Sequence, residues 1–373
     1  MMDITIQRET LLKPLQAMSS VVEKKQTLPI LSNVLLTIKN NHLLLTGTDL
    51  EIELIGSIQL KNESPQGSTT VSARKLFDIC RTLPDEVMLR LSLEKNYLNI
   101  RAGDSHFKLN TLAAQDFPNL EDLNENADAT QFTLKQSHLK SLLTKTYFAM
   151  GQQDVRHFLN GTFLEISPNI IKCVAADGHR LAFASITDEA IGDVQAQVIL
   201  PRKSVLELIR LLDNDDANEV SIKIGDGRFR MTAPDYIFTS KLINAQYPDY
   251  NRLIRKGTII AVGDKEAIKQ ALTRASILSN EKFRGIRFQL EPNKLKITAN
   301  NSDQEHAEEA VSLEYTGNSL EVGFNVAYLL DAISAIPAKN IRCTLTGPNE
   351  GMLIESAENE QQVCFYVVMP MRL

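Results

Sequence analysis

Residues 174–183, VAADGHRLAF, place an acid, a glycine, a histidine and an arginine in a row between two apolar runs. Asp177 could orient His179 as a general base while Arg180 binds an anion, which is an arrangement found in hydrolytic sites. Two non-catalytic interpretations compete with this one. The segment could be a polar turn with an exposed histidine, or a pocket in which Gly178 allows a peptide backbone to approach closely.

The rest of the chain contains no wider catalytic motif. It lacks GxSxG, HExxH, a P-loop, and GxGxxG in a strand–turn–helix context. The six histidines show no metal-ligand spacing, and the four scattered cysteines include no CxxC pair. The sequence therefore predicts reduced thiols and no metal or cofactor, and it favours a binding protein over a hydrolase that uses Asp177 and His179.

Composition limits the class of protein. A chain of 373 residues with 43% hydrophobic and 23% charged residues is typical of two or three globular domains. The net charge of -6 means that any surface for nucleic acid must be local. The amino terminus does not have the pattern of a signal peptide, and no stretch of about 18 apolar residues occurs. We therefore expect a soluble, cytoplasmic protein.

Three segments repeat at a spacing of 128 residues. ITIQRETLLKPLQ begins at Ile4, FTLKQSHLKSLLT at Phe132 and IAVGDKEAIKQAL at Ile260. In each, a period of two changes to a period of 3.6, which predicts a strand followed by a helix. In the first copy, Thr10 is predicted to cap the helix, which would place Pro14 in the first turn.

A second helix also recurs, in SARKLFDICRTLPD, LPRKSVLELIRLLD and FNVAYLLDAISAIP, and alternating strands follow each helix. The predicted fold class is therefore α+β, with three repeated domains and helices on one face of antiparallel sheets. Residues 121–130 and 251–258 are the predicted linkers. The predicted domains are residues 1–127, 128–256 and 257–373. The predicted helices span residues 10–18, 72–83, 136–150, 201–212, 265–278 and 326–336.

The repeat changes the interpretation of the acid–glycine–histidine–arginine motif. Asp177 aligns with Asp49 of LTGTDLEIEL and falls near Asn301 of ITANNSDQEH. Because the first copy has no histidine after its aspartate, the acid is expected to belong to a turn shared by the repeats. Only the sequence Gly178-His179-Arg180 is particular to the second copy.

Positive charge is concentrated in the predicted helices. Five of the six helical segments carry a net positive charge, although the whole chain is acidic. If these helices share one face, that face would contact phosphates without reading bases, and the affinity would fall with added salt. Solvated helix surfaces are the alternative interpretation of each helix taken singly.

Over its whole length the chain resembles the bacterial DNA polymerase III beta subunit family, the sliding clamps. The resemblance rests on LLKPLQ, TLPILSN, LTGTDLE, ARKLFDICRTLP, QDVRHFLNG, DGHRLA, ILSNEKFRG, GFNVAYLLD and the terminal YVVMPMRL. It implies a non-catalytic processivity factor, a head-to-tail homodimer that closes as a ring, with helices on the inner face and sheets outside. It also implies sequence-independent binding of double-stranded DNA and no membrane association. The implied protein partners are the clamp loader, the replicative polymerase alpha subunit, translesion polymerases, and mismatch-repair and ligation proteins, all docking through short linear peptides.

The resemblance also implies site residues by position. The implied DNA contacts are Lys25, Arg74, Gln153, His157 and Phe158. The implied partner-peptide cleft consists of Leu159, Ala176, Gly178, His179, Arg180, Leu181, Pro248, Arg252, Leu253, Asn325, Tyr328, Val367, Met369, Pro370, Met371 and Arg372. The implied dimer interface consists of Lys75, Phe107, Leu109, Ile277 and Leu278.

Three of the implied DNA contacts depart from the common family pattern. Lys25 stands where arginine is frequent in the family. The positive charge is kept, but the two parallel N–H donors that a guanidinium offers to a phosphate are lost. His157 and Phe158 replace an aromatic pair that is often two tyrosines, so we expect stacking on DNA to be retained rather than hydroxyl contacts.

Overall fold

The computed structural model describes residues 2–22, 28–118, 120, 129–254, 257–358 and 363–372. Among these residues, the helices are α1 (Arg8–Val21), α2 (Ala73–Thr82), α3 (Gln136–Thr146), α4 (Arg202–Leu211), α5 (Lys265–Ile277) and α6 (Val326–Ala335). The strands are β1 (Asp3–Gln7), β2 (Asn33–Lys39), β3 (His42–Thr48), β4 (Ile52–Gln59), β5 (Gly67–Ser72), β6 (Met88–Glu94), β7 (Tyr97–Ala102), β8 (Ser105–Leu112), β9 (Thr130–Lys135), β10 (Gly161–Ser167), β11 (Ile170–Ala176), β12 (Arg180–Thr187), β13 (Ala196–Pro201), β14 (Glu219–Gly225), β15 (Arg228–Thr232), β16 (Tyr236–Lys241), β17 (Ile259–Asp264), β18 (Gly285–Glu291), β19 (Lys294–Asn300), β20 (His306–Ser312), β21 (Leu320–Asn325), β22 (Asn340–Leu345), β23 (Met352–Ser356) and β24 (Val363–Val368).

The chain forms two compact units. Unit 1 comprises Met1–Gln136 and Arg210–Leu242, and unit 2 comprises Ser137–Ile209 and Ile243–Leu373. In unit 1 the strands form one sheet in the order β1-β6-β7-β8-β5-β2-β3-β4-β16-β15-β14-β9. In unit 2 they form two sheets, β13-β10-β11-β12-β24-β23-β22-β17 and β20-β19-β18-β21. The division of the chain into domains 1–127, 128–256 and 257–373 stays a prediction.

The repeat predicted from the sequence is visible in the sheet order. The run β5-β2-β3-β4-β16-β15-β14-β9 of unit 1 has the same connectivity as β13-β10-β11-β12-β24-β23-β22-β17 of unit 2. Every pairing between strands of the described residues is antiparallel, with helix α1 packed on β3 and β4, and α5 on β19 and β20. The α+β prediction is therefore confirmed.

The predicted start of the first helix is wrong. Helix α1 begins at Arg8 rather than after Thr10, and Pro14 lies inside it. Tertiary contacts decide this, because the backbone N–H of Arg8 donates to the carbonyl of Val87 at 3.0 Å. Pro14 is buried, and a Cβ atom added to Gly56 would lie only 3.2 Å from Pro14 Cβ, so the proline packs closely on β4 and this packing offsets the hydrogen bond that proline cannot make.

Candidate functional site

The Asp177 motif forms a turn held by its own side chain. Asp177 Oδ1 accepts hydrogen bonds from the backbone N–H groups of His179 (2.9 Å) and Arg180 (3.0 Å), and Gly178 has φ +90°. The first copy repeats the geometry, because Asp49 Oδ1 accepts from the N–H groups two and three residues further on, at 2.9 and 2.7 Å. The prediction that this acid belongs to a turn of the scaffold is confirmed.

Arg180 is engaged in structural contacts rather than open to an anion. Its Nε donates to Asp177 Oδ2 (3.0 Å), its Nη1 to Asp331 Oδ2 (2.5 Å) and its Nη2 to the carbonyl of Phe148 (2.5 Å). The guanidinium also lies 4.4 Å from the ring centroid of Tyr328, and the side chain is 12% exposed. Arg180 thus ties the turn to helix α6.

His179 stacks instead of pairing with a carboxylate. Its ring lies 6.3 Å from that of Tyr328 at an interplanar angle of 22°, on the exposed side of the turn. Both oxygens of Asp177 are used by backbone and by Arg180, so the acid–base pair of a hydrolytic site is not assembled.

The chain end lies against this turn. Tyr366, Val367 and Val368 are buried, and strand β24, in which they lie, pairs with β12. Beyond the strand, the N–H of Met369 donates to the carbonyl of His179 at 2.8 Å, and Met371 N–H donates to Gly323 at 2.8 Å. In unit 1 the N–H of Lys241 donates to the carbonyl of Glu51 at 2.9 Å, at the equivalent positions. The bond between Met369 and His179 is therefore a feature of the repeat.

The predicted cleft residues all lie in unit 2 and differ in exposure. Buried are Leu159, Ala176, Leu181 and Val367; half-buried are Arg180, Asn325, Tyr328, Met369, Pro370 and Met371; exposed are Gly178, His179, Pro248, Arg252, Leu253 and Arg372. The buried group forms one apolar cluster with Tyr247, Tyr250 and Phe163, and Met369 packs against it.

Aromatic stacking makes the floor of this cluster rigid. The rings of Phe163 and Tyr247 stack at 4.8 Å, and those of Phe183 and Phe365 stack at 4.4 Å. Burial raises the pKa of the Tyr247 phenol above its usual range, so the ring stays neutral. The result is an apolar floor beside a rim that carries exposed His179 and half-buried methionines.

The 3-10 helix Tyr250–Leu253 contains Arg252 and Leu253, and Pro248 lies two residues before it. Tyr250 joins the apolar cluster, whereas the Arg252 side chain is 84% exposed and its Nε donates to Asp249 Oδ2 at 3.2 Å. Asn325 caps α6 by accepting the N–H of Ala327 at 2.9 Å. Pro248, Arg252 and Leu253 are sequence neighbours of Tyr247 and Tyr250 rather than members of the cluster.

The implied DNA contacts lie on two elements. Arg74 projects from α2 with 65% of its side chain exposed, and its Nε is 3.6 Å from Asp78 Oδ2. Gln153 and His157 are exposed in the segment before β10. Phe158 is half-buried, with its ring edge-on to Tyr247 at 6.2 Å. Lys25 lies outside the described residues.

The implied interface residues lie near open strand edges. Phe107 and Leu109 are half-buried on β8, Lys75 is exposed on α2, Ile277 is 75% exposed at the end of α5, and Leu278 is half-buried. In the described part of the chain, β8 pairs along its length with β7 but meets β5 only at its last two residues. Among the strands that the structure describes, β20 pairs only with β19.

Arg156 also belongs to the site, through contacts that no local sequence pattern indicates. Arg156 donates two parallel hydrogen bonds to the Asp154 carboxylate, from Nε to Oδ1 at 3.0 Å and from Nη2 to Oδ2 at 2.8 Å. Its Nη2 also donates to the carbonyl of Asp177 at 3.3 Å. Hydrogen bonds from Arg156 lower the pKa of Asp154 to about 2. A Cβ atom added to Gly178 would lie 2.7 Å from Arg156 Nη2. The contact spans 21 residues, so no local pattern indicates it.

Two classes of site are not found in the described residues. No group of three or more histidine, cysteine, aspartate and glutamate side chains is placed to hold a metal ion. No helix in that part of the chain is long and apolar enough to span a membrane.

Comparison with known proteins identifies the class. Over 100% of both chains, the structure is similar to the Pseudomonas aeruginosa DNA polymerase III beta sliding clamp bound to griselimycin, with a TM-score of 0.94 and 48% identity. It is also similar to the Caulobacter crescentus pol III beta, with a TM-score of 0.91 and 32% identity over 100% of both chains. The repeated α+β fold and the non-catalytic turn therefore belong to a DNA sliding clamp.

Family models match along the chain: the N-terminal domain of the DNA polymerase III beta subunit at residues 2–121, the central domain at 133–249 and the C-terminal domain at 252–372. The beta sliding clamps of Pseudomonas putida and Escherichia coli K12 are 48% and 45% identical to it over 100% of both chains. The chain belongs to the DNA polymerase III beta subunit family. It is a processivity subunit rather than an enzyme, and the hydrolase interpretation is wrong.

Proposed function

We propose that the chain works as a head-to-tail homodimer that closes around duplex DNA and tethers DNA polymerases to it. Each protomer would contribute three domains, residues 1–127, 128–256 and 257–373, with helices lining the hole and sheets outside. The observation that carries this proposal is that β8 and β20, in a chain of the sliding-clamp family, each leave most of one strand edge unpaired within the described residues.

Open edges favour ring closure between copies. An unpaired strand edge exposes backbone donors and acceptors, and pairing β8 of one protomer with β20 of the other would satisfy both edges at once. Such a contact is heterologous, so two copies close a ring only if the rotation allows it. Ile277, three-quarters exposed at the end of α5, would be covered beside this junction.

The interior of the ring would contact phosphates. Arg74 is exposed on α2, and Gln153, His157 and Phe158 would add contacts from the loop before β10. Charge on helices gives affinity without sequence information and lets the protein slide. Lys25 would contribute in the same way.

The apolar cluster and its rim would bind partner peptides. Met369 and Met371 are flexible thioethers that can repack around different side chains, which suits a surface shared by several partners. The replicative polymerase alpha subunit, the clamp loader, translesion polymerases, and mismatch-repair and ligation proteins would compete for it. The griselimycin-bound relative supports trying that compound as a competitor. As a subunit of a bacterial replicative DNA polymerase, the protein would act in the cytoplasm.

One experiment tests the ring. The protein is loaded onto nicked circular DNA by a clamp loader, the sample is gel-filtered, and the retained fraction is measured before and after a restriction enzyme linearises the DNA. A clamp stays on the circle and leaves the linear DNA through its ends. Equal retention on the two forms would indicate ordinary surface binding and would refute encirclement.

A further inference from the structure

A cavity of about 400 Å³ lies in unit 2 beside the chain end, which contributes Met371 and Arg372 to its lining. Its floor is one face of β18 and β19, where Arg287 pairs in register with Thr298. Its walls come from the loop after α5 and from the chain end. The lining residues are Asn280, Phe283, Gly285, Arg287, Thr298, Asn300, Met371 and Arg372.

The wall formed by the loop is held in place before any ligand arrives. Asn280 Oδ1 accepts the N–H groups of Lys282 and Phe283, each at 3.0 Å, and its carbonyl accepts Arg284 N–H at 2.7 Å. Asn325 Nδ2 donates to the carbonyl of Phe283 at 3.3 Å. These bonds hold the loop backbone, which presents Phe283 with 57% of the residue exposed. A preorganised aromatic side chain loses little entropy when it binds.

The lining combines apolar and cationic groups. Phe283 and Met371 supply the apolar surface, Arg287 and Arg372 supply positive charge, and none of the described lining residues is acidic. Arg287 Nη1 pairs with Glu321 Oε1 at 2.8 Å, but about half of each side chain stays exposed. A guanidinium in that position can accept a second carboxylate.

We propose that this cavity binds the residues that flank a docked partner peptide, taking an apolar side chain against Phe283 and Met371 and an adjacent carboxylate at Arg287 and Arg372. The inference rests on the proposed peptide cleft, with which it shares the chain end. Met371 and Arg372 belong both to the proposed cleft and to the lining of the cavity, and the N–H of Met371 is fixed to the carbonyl of Gly323. A peptide that follows the chain end out of the cleft would therefore reach the cavity. Partners with the same core sequence would then be ranked by their flanks.

The test measures fluorescence anisotropy of labelled peptides bound to the full-length protein. The probes are a short core peptide from a replicative polymerase alpha subunit and the same core extended, at either end in turn, by Glu-Leu, Lys-Leu or Gln-Ser. For the unaltered protein we expect one of the Glu-Leu extensions to bind about fivefold more tightly than the core, the order expected for one exposed ion pair plus partial apolar burial. The Lys-Leu and Gln-Ser extensions should increase the affinity by less.

Two variants remove the two parts of the cavity. Phe283→Ala and Arg287→Gln should each abolish most of the gain from Glu-Leu while leaving the affinity for the core unchanged. Arg342→Gln is the matched control, because Arg342 is also a half-exposed arginine paired across a ladder, with Glu355 at 3.5 Å on β23. For Arg342→Gln, the gain in affinity from the Glu-Leu extension should equal the gain measured for the unaltered protein.

The outcomes separate this inference from the proposed function. If the core binds and neither Glu-Leu extension adds affinity, or if the gain survives both variants, the cavity assignment is overturned and the cleft stands. If the Lys-Leu extension raises the affinity as much as the Glu-Leu extension does, the assignment of an acidic ligand to the cavity is overturned. If the core itself does not bind, the peptide cleft fails and this inference fails with it.

Discussion

Replacing Gly178 with alanine should weaken partner-peptide binding more than it destabilises the fold. Gly178 has φ +90°, where an L-residue is strained, at a typical cost of roughly 1–2 kcal/mol. Leu50 occupies the equivalent turn of unit 1 at φ +76°, so this turn tolerates a Cβ atom and the cost should be near the lower limit. A loss of about 1 kcal/mol would lower the melting temperature by about 2–4 °C.

The larger effect comes from Arg156. A Cβ atom on residue 178 would lie 2.7 Å from its Nη2 and 3.1 Å from its Nη1, so the guanidinium must move. It would leave the carbonyl of Asp177 and shift over the rim beside His179. We expect the dissociation constant of an alpha-subunit peptide to rise about tenfold, or about 1.4 kcal/mol.

A double-mutant cycle separates backbone strain from displacement of the guanidinium. In Gly178→Ala combined with Arg156→Ala, the strain remains and the clash is gone, so the added alanine should cost little further affinity. Gly227→Ala is the matched control for strain, since Gly227 has φ +68° with no atom within 4 Å of an added Cβ. Peptide binding by Gly178→Ala at unaltered affinity, measured by anisotropy, would refute the role given to Arg156 and this turn.

Four further predictions follow from particular contacts. Truncation after Val368 should abolish peptide binding in anisotropy assays yet lower the melting temperature only slightly, because strand β24 stays intact; unaltered affinity would rule out the cleft. Ile277→Ala combined with Leu278→Ala should sediment as a folded monomer that is lost from circular DNA, and a dimer at micromolar concentration would place the interface elsewhere. Arg74→Ala should weaken DNA binding equally for all sequences and reduce the slope of log K against log salt by about one, whereas a sequence-selective loss would argue for base contacts. Because Arg156 depresses the pKa of Asp154 to about 2, the ionised carboxylate stabilises the fold above its unfolded pKa of about 3.9, and this contribution is lost as pH falls towards 2. The difference in melting temperature between the unaltered protein and Asp154→Asn should therefore be full above about pH 4 and shrink below it, and a constant difference would contradict the assignment.

Local patterns in the sequence were sufficient for the elements and for the repeat. The change of hydrophobic period from two to 3.6 is a property of neighbouring residues, and it predicted helices such as α2 and α5 to within a residue or two at each end. The alignment of Asp177 with Asp49 likewise indicated a turn, because an Asp side chain caps N–H groups only two and three residues away. The family resemblance added the site residues, which local patterns alone do not supply.

Tertiary structure decided what distant residues do to each other. The first helix begins at Arg8 because that side chain is buried and donates to the carbonyls of Cys80 (2.7 Å) and Arg81 (3.1 Å), more than 70 residues away. Arg180 reaches Asp331 across 151 residues. The cavity beside Phe283 exists only where a loop, two strands and the chain end converge. These contacts leave no periodic trace in the sequence, because each depends on which elements pack together rather than on the order of neighbouring residues.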